Sequence, residues 1–203
     1  MFGKIIGTGS YVPKEIVTNK DLAQYLDTDD TWIRERTGVK SRHISGDKET
    51  TADMAVKAAE KALENSGLLP DEIDLIIVSS VSSNLVLPST ACFVQKAINA
   101  KNAFCFDINV ACTGFITAYN ISQTFINTGL INTALIIGAE SLSKITDWSD
   151  RKTCILFGDG AGAVVIKKDE NAMFETVMFS NGKNGDALTM ENPFALRETN
   201  LGK

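Results

Sequence analysis

The stretch Asn109-Val110-Ala111-Cys112-Thr113-Gly114-Phe115 decides the fold, because it joins a short strand over 103–107 to a helix over 112–129 that carries no charge. No Asp, Glu, Lys or Arg occurs from Ile108 to Ala139. The run is too rich in Asn, Thr, Ser and Gln for a membrane span, so it is expected in a protein interior. A helix on the outside of a sheet shows charge on one side. This one shows none, which predicts that a second layer, from another segment or chain, packs against it. A cysteine opening such a helix meets unpaired N–H groups and the positive end of the helix dipole, which favour the thiolate. Strand, short turn, cysteine and helix is also the elbow that carries nucleophiles. Cys112 is therefore the candidate acyl-accepting nucleophile; the alternative is an inert buried thiol, which is what most free cysteines are.

Outward from that stretch the chain alternates. Upstream, a strand over Lys4–Gly9 is followed by short helices over Lys20–Leu26 and Asp29–Arg36, the second stopped at Gly38. An amphipathic helix covers Thr50–Asn65, with Ala55, Ala58, Ala59, Ala62 and Leu63 in one stripe and Gly67 at its end. Asp74–Ser80 is a continuous apolar strand, as expected when both sheet faces are covered. Pro88 suits the first turn of a helix running to Ile98. Downstream lie a buried strand over Ala134–Ala139 and a closing pair over Ala161–Lys167 and Phe174–Phe179. This order predicts an α/β fold whose sheet is mainly parallel, with helices on both faces. The polar segment 181–203, with Pro193 in it, reads as a long loop or lid.

Composition narrows the function. The 203 residues are 44% hydrophobic and 22% charged, with a net charge of −5. That balance points away from nucleic acid and from a membrane surface. The four cysteines, Cys92, Cys105, Cys112 and Cys154, have no C-x-x-C spacing, so metal binding through them is disfavoured. With no signal peptide at Met1-Phe2-Gly3-Lys4, the expected compartment is the reducing cytoplasm. The only histidine, His43, sits among charges in Lys40-Ser41-Arg42-His43 and reads as structural or surface.

Two further groupings bear on ligands. Gly158-Asp159-Gly160-Ala161-Gly162-Ala163 resembles a phosphate loop but precedes a strand, Val164-Val165-Ile166, rather than a helix. Its glycines are expected to permit tight backbone passage. Trp32 and Arg36, four apart, share a helix face; with Arg151 they offer a stacking plane and two guanidinium groups, which suit a nucleotide. From spacing alone the three read as solvated surface, since such spacings are common.

Taken together, Thr31-Trp32-Ile33-Arg34-Glu35-Arg36-Thr37-Gly38-Val39, Asn109–Phe115 and Phe157–Ala163 resemble β-ketoacyl-(acyl-carrier-protein) synthase III, in order and at family-like spacing from Met1 to about Met190. The resemblance implies a thiolase-like fold of two similar halves in αβαβα layers. Residues 1–180 would be the N-terminal half, with a mainly parallel five-stranded mixed sheet, and 181–203 would lead to a second half. It further implies that Cys112 takes an acyl group from acyl-CoA and condenses it with malonyl-carrier protein, with no cofactor. One oxyanion donor would be the N–H of Cys112 itself. Thr28, Trp32, Arg36 and Arg151 would bind CoA; Leu142 and Phe157 would wall the acyl pocket. Leu87 stands where the commonest members have Phe, which they contribute to the partner subunit's acyl pocket in a homodimer. The family's catalytic His and Asn, and most of its carrier-protein surface, lie in the second half, beyond residue 203, so residues 1–203 alone are expected to be inactive. The alternatives are a related thiolase-fold synthase of a specialised acyl pathway and a non-catalytic half-subunit.

Overall fold

The computed structural model describes residues 1–190, and its sheet is built by the segments with the strongest strand signals. In chain order the elements are β1 (Phe2–Tyr11), β2 (Glu15–Thr18), α1 (Asn19–Leu22), α2 (Asp30–Thr37), β3 (Ser41–Ile44), α3 (Thr51–Ser66), β4 (Leu75–Ser79), α4 (Thr90–Ile98), β5 (Phe104–Ile108), α5 (Gly114–Thr128), β6 (Thr133–Ser141) and β7 (Asp159–Asp169). Five strands form one sheet in the order β1-β7-β6-β4-β5. β4 pairs in parallel with β5 and β6, while β7 runs antiparallel to both β1 and β6. Four of the five strands therefore point the same way, and the sheet is mixed and mainly parallel, as the alternation predicts.

Side-chain alternation divides the core into two layers. Ile76 and Val78 of β4 and Leu135 and Ile137 of β6 face α3 and α4. Leu75, Ile77 and Ile136 face α5, where Ala118 and Ile126 meet them. The alanine stripe of α3 lies flat on β1 and β7, with Ala55, Ala58, Ala59 and Ala62 fully buried. That approach requires glycine on the strand. A Cβ at Gly9 would stand 2.2 Å from the Ala58 carbonyl oxygen and 2.4 Å from the Ala62 nitrogen, and one at Gly7 would stand 2.3 Å from the Ala62 oxygen.

Several expectations are corrected. The segment Phe174–Phe179 is not a strand: it pairs with no strand among the described residues, and Val177 and Phe179 are exposed, while Phe174 packs on Phe2 and Tyr119. The helix expected over Lys20–Leu26 is cut to Asn19–Leu22, fixed at its start by a Thr18–Asp21 capping box. The helix expected from Pro88 starts at Thr90 because Ser89 caps it, its hydroxyl accepting from the Cys92 N–H. The expected helix over 112–129 starts at Gly114, after a separate 3-10 turn over Ala111–Thr113. The β2–β3 ribbon was not expected at all; it brackets α1 and α2. Of the loop expected over 181–203, residues Gly182–Ala187 form a 3-10 turn, and Pro193 lies outside the described residues. Among the described residues no helix is long and apolar enough to cross a membrane.

Candidate functional site

The parallel strands β4, β5 and β6 bring their carboxyl ends to one edge, with Ser79 opposite Ile108 on one side and Gly138 on the other. Such edges are where α/β sheets place ligands. From β5 the chain passes into the 3-10 turn with Ala111 at φ +45°, left-handed backbone that an alanine occupies at a cost of about 1–2 kcal/mol. The turn is closed on Val110, whose carbonyl accepts from the Thr113 N–H (3.3 Å) and hydroxyl (3.1 Å). Cys112 thus sits exposed on a strained turn just ahead of α5, and no side chain caps the first N–H groups of that helix. Gly114 lets α5 start hard against β4: a Cβ there would fall 1.7 Å from Ser79 Oγ.

The other thiols are less available. Cys154 is fully buried, and burial pushes its thiol up. Burial, reinforced by the neighbouring Cys92 and Asp107, pushes the half-buried Cys105 up to about 12. Cys92 is half-buried and accepts from the Ser89 hydroxyl at 3.1 Å. Limited iodoacetamide with peptide mapping is therefore expected to label Cys112 first; prior labelling of Cys92, Cys105 or Cys154 would overturn the assignment of the reactive thiol. His43 is occupied elsewhere, its Nδ1 2.6 Å from the Pro13 carbonyl oxygen.

The structure gathers the aromatic and its two arginines, although 114 residues separate Arg36 from Arg151 (151 − 36 − 1). The Arg36 guanidinium lies over the Trp32 ring at 4.3 Å, and that of Arg151 at 5.0 Å. Asp29 caps α2 through the Trp32 N–H (2.8 Å), and Arg36 donates to the Trp32 carbonyl (3.3 Å). Arg151 donates to the Asp27 carbonyl and, at 3.3 Å, to its carboxylate. Thr28, next to Asp27, keeps its hydroxyl buried without a hydrogen-bond partner among the described residues. Trp32, Arg36 and Arg151 form one cluster, in which Arg36 and Arg151 remain exposed, in keeping with their reading as solvated surface.

Leu142 and Phe157 are half-buried and flank the last register pair of β6 and β7, Ser141 opposite Asp159. Leu87, by contrast, is 82% exposed on the β4–α4 loop. Sequence reasoning missed the carboxylates that hold these loops. Glu140 accepts from the Val81 N–H (3.0 Å), the Ser82 N–H (3.2 Å) and the Ser80 hydroxyl (3.3 Å). Asp159 is buried and accepts from the N–H groups and hydroxyls of both Ser45 and Ser143, at 2.6 to 2.8 Å. Asp107 takes the Thr90 and Ala91 N–H groups at the start of α4. A signal existed for two of them: Asp107 and Glu140 are the charges that bracket the uncharged run. Gly158 supports the tight-passage reading of its motif, since a Cβ there would stand 2.9 Å from Arg42 Cβ. Among the described residues no group of three His, Cys, Asp or Glu could hold a metal ion.

Comparison with known proteins converges on one family. The family model described as 3-oxoacyl-(acyl-carrier-protein) synthase III matches residues 106–182. The chain is 54% identical over 198 residues to the beta-ketoacyl-(acyl-carrier-protein) synthase III of Clostridium acetobutylicum, covering 95% of this chain and 61% of that one. It is 45% identical to that of Xanthomonas campestris over 93% of this chain and 58% of the relative. The chain thus spans about 60% of the length of the curated relatives it matches. Among solved structures, the synthase III of Thermus thermophilus superposes with a TM-score of 0.88 at 38% identity, covering 93% of this chain and 59% of that one. That of Aquifex aeolicus gives 0.81 at 50% identity, covering 83% and 55%.

Proposed function

The chain belongs to the 3-oxoacyl-(acyl-carrier-protein) synthase III family, with its thiolase-like fold, and from that premise we propose that it carries the acyl-accepting part of a condensing enzyme that initiates type II fatty acid synthesis. The observation that carries this reading is the exposed Cys112 on a strained turn, at the carboxyl ends of three parallel strands and at the start of an uncharged helix. The Cys112 thiolate attacks the thioester carbonyl of acyl-CoA. The tetrahedral oxyanion is met by backbone N–H groups at this turn, that of Cys112 among them, and it collapses as the CoA thiolate leaves and takes a proton. The acyl-enzyme then condenses with malonyl-carrier protein, releasing carbon dioxide and freeing Cys112 as the 3-oxoacyl product forms.

The remaining parts belong to the same proposal: a second half supplying a catalytic His and Asn, a homodimer, a cytoplasmic location and no cofactor. A covering layer is supported by α5, where Ile116 is 59% exposed, and by an apolar groove of about 410 Å³ beside it, lined by Thr8, Gly9, Phe115, Gly138, Gly162, Ala163 and Val164. Intact mass spectrometry of the full-length protein after incubation with acyl-CoA tests the first step; a gain of one acyl group mapped to the Cys112 peptide is expected. No acylation by any primer in an acyl-CoA panel would favour a non-catalytic subunit.

Trp32, with Arg36 and Arg151 over its ring, is read as the plane on which the CoA adenine rests, with the guanidinium groups meeting its phosphates. Trp32→Ala and Arg151→Ala should each raise the KM for acyl-CoA about tenfold with little change in kcat, because the nucleotide is remote from the chemistry. An unchanged KM in both would remove CoA from this cluster.

A further inference from the structure

Arg42 is the most unusual charge in the structure: it is 4% exposed, and no carboxylate pairs with it among the described residues. Uncompensated buried charges are costly, and this guanidinium is held through its two terminal nitrogens, while its Nε has no hydrogen-bond partner among the described residues. Its Nη1 donates to the Val17 carbonyl at 3.1 Å; its Nη2 donates to Asn19 Oδ1 at 2.7 Å and to the Ile155 carbonyl at 3.3 Å. Each of the last two contacts leads to one wall of the tryptophan cluster.

The first limb runs through Asn19, itself 1% exposed, whose amide donates to Asp30 Oδ1 (2.9 Å) and to the Val39 carbonyl (2.8 Å). Asp30 opens α2, the helix that carries Trp32 and Arg36, and Val39 lies just beyond the end of α2, so Asn19 grips the helix at both ends. The second limb reaches Ile155 in a run of tight turns, where Thr153 and Cys154 donate to the Asp150 carbonyl and Leu156 donates to that of Thr153. Arg151 rides on that run. The buried cluster of Leu22, Ile33, Cys154 and Ile155, with Trp32 and Trp148 packed against it, fills the space between the limbs.

Resting on the reading of this cluster as the CoA handle, we propose that Arg42 is a positioning residue that holds Trp32 and Arg36 on one side, and Arg151 on the other, at the separation a nucleotide requires. It touches no substrate. Its Nη2 joins Asn19 and Ile155, 136 positions apart in the chain (155 − 19), while Nη1 fixes the plane of the fork on the Val17 carbonyl. Losing it leaves both walls folded but free to drift, and a drift of about 1 Å is enough to weaken binding strongly.

The test compares two substrates of the full-length enzyme: an acyl-CoA, and the same acyl group on N-acetylcysteamine, which keeps the thioester and lacks the nucleotide. Arg42→Gln should raise the KM for acyl-CoA about tenfold with kcat nearly unchanged, and leave kcat/KM for the short thioester as it was. Asn19→Ala severs only the limb to α2 and should raise the same KM about threefold; it carries the test should Arg42→Gln fail to fold. Equal losses on both substrates would overturn the proposal, since they would mean that these residues only maintain the fold. So would an unchanged KM for acyl-CoA where Trp32→Ala raises it. If Trp32→Ala leaves that KM unchanged as well, the CoA handle itself is misplaced, and the role given to Arg42 falls with it.

Discussion

Cys112→Ser is expected to lower acyl transfer from acyl-CoA by at least about 10³-fold in the full-length enzyme, with the fold intact. The hydroxyl is nearly isosteric with the thiol, and Cys112 is exposed, so no core contact is lost. What disappears is the sulfur nucleophile, replaced by a much weaker hydroxyl. Time-resolved intact mass measures the acylation rate, and thermal unfolding followed by circular dichroism reports the fold. Acylation retained at more than a few per cent of the parent rate would move the nucleophile to another residue.

The largest effect on stability is expected at Gly9. A methyl group added there meets two backbone atoms of α3, the Ala58 oxygen at 2.2 Å and the Ala62 nitrogen at 2.4 Å, and neither can rotate away. The helix must lift off β1, undoing the packing of four fully buried alanines. Gly9→Ala should therefore cost about 3 kcal/mol or more, at the upper end of overpacking effects. Gly46→Ala is the control: it is exposed, has no positive φ and has nothing within 4 Å of an added Cβ, so its cost should stay under about 0.5 kcal/mol. Denaturant midpoints of the two variants decide the matter, and a similar small shift in both would mean that α3 stands further from the strand.

Elements whose signals are local were legible in the sequence. The alanine stripe and Gly67 delimited α3 to within a residue, and the unbroken apolar run marked β4. What escaped depends on partners far along the chain. β2 and β3 are four residues each and lie 22 residues apart (41 − 18 − 1), too short to declare a period. Phe174–Phe179 has strand-like composition, but composition cannot supply the neighbouring edge that a strand needs. The left-handed backbone at Ala111 was hidden because alanine does not advertise that conformation as glycine or asparagine does. In the candidate site, helical spacing linked Trp32 to Arg36 and the family resemblance added Arg151, whereas the relay through Asn19 and Arg42 exists only once segments more than 100 residues apart have met.

The antiparallel strand β7 has a consequence for how the protein is made. Among the described residues β1 has a single neighbour in the sheet, and that neighbour, β7, begins 147 residues after β1 ends (159 − 11 − 1), with Phe2 opposite Asp169. At about 5–20 residues per second of translation, β1 waits roughly ten to thirty seconds for its partner. Contacts of such long sequence separation are also slow to close. During that interval a strand presents bare edges on which another chain can template. Gly3, Gly7 and Gly9 are poor strand formers in isolation. Two of them, Gly7 and Gly9, which admit α3 in the finished fold, therefore also disfavour early pairing of the nascent segment with the wrong chain.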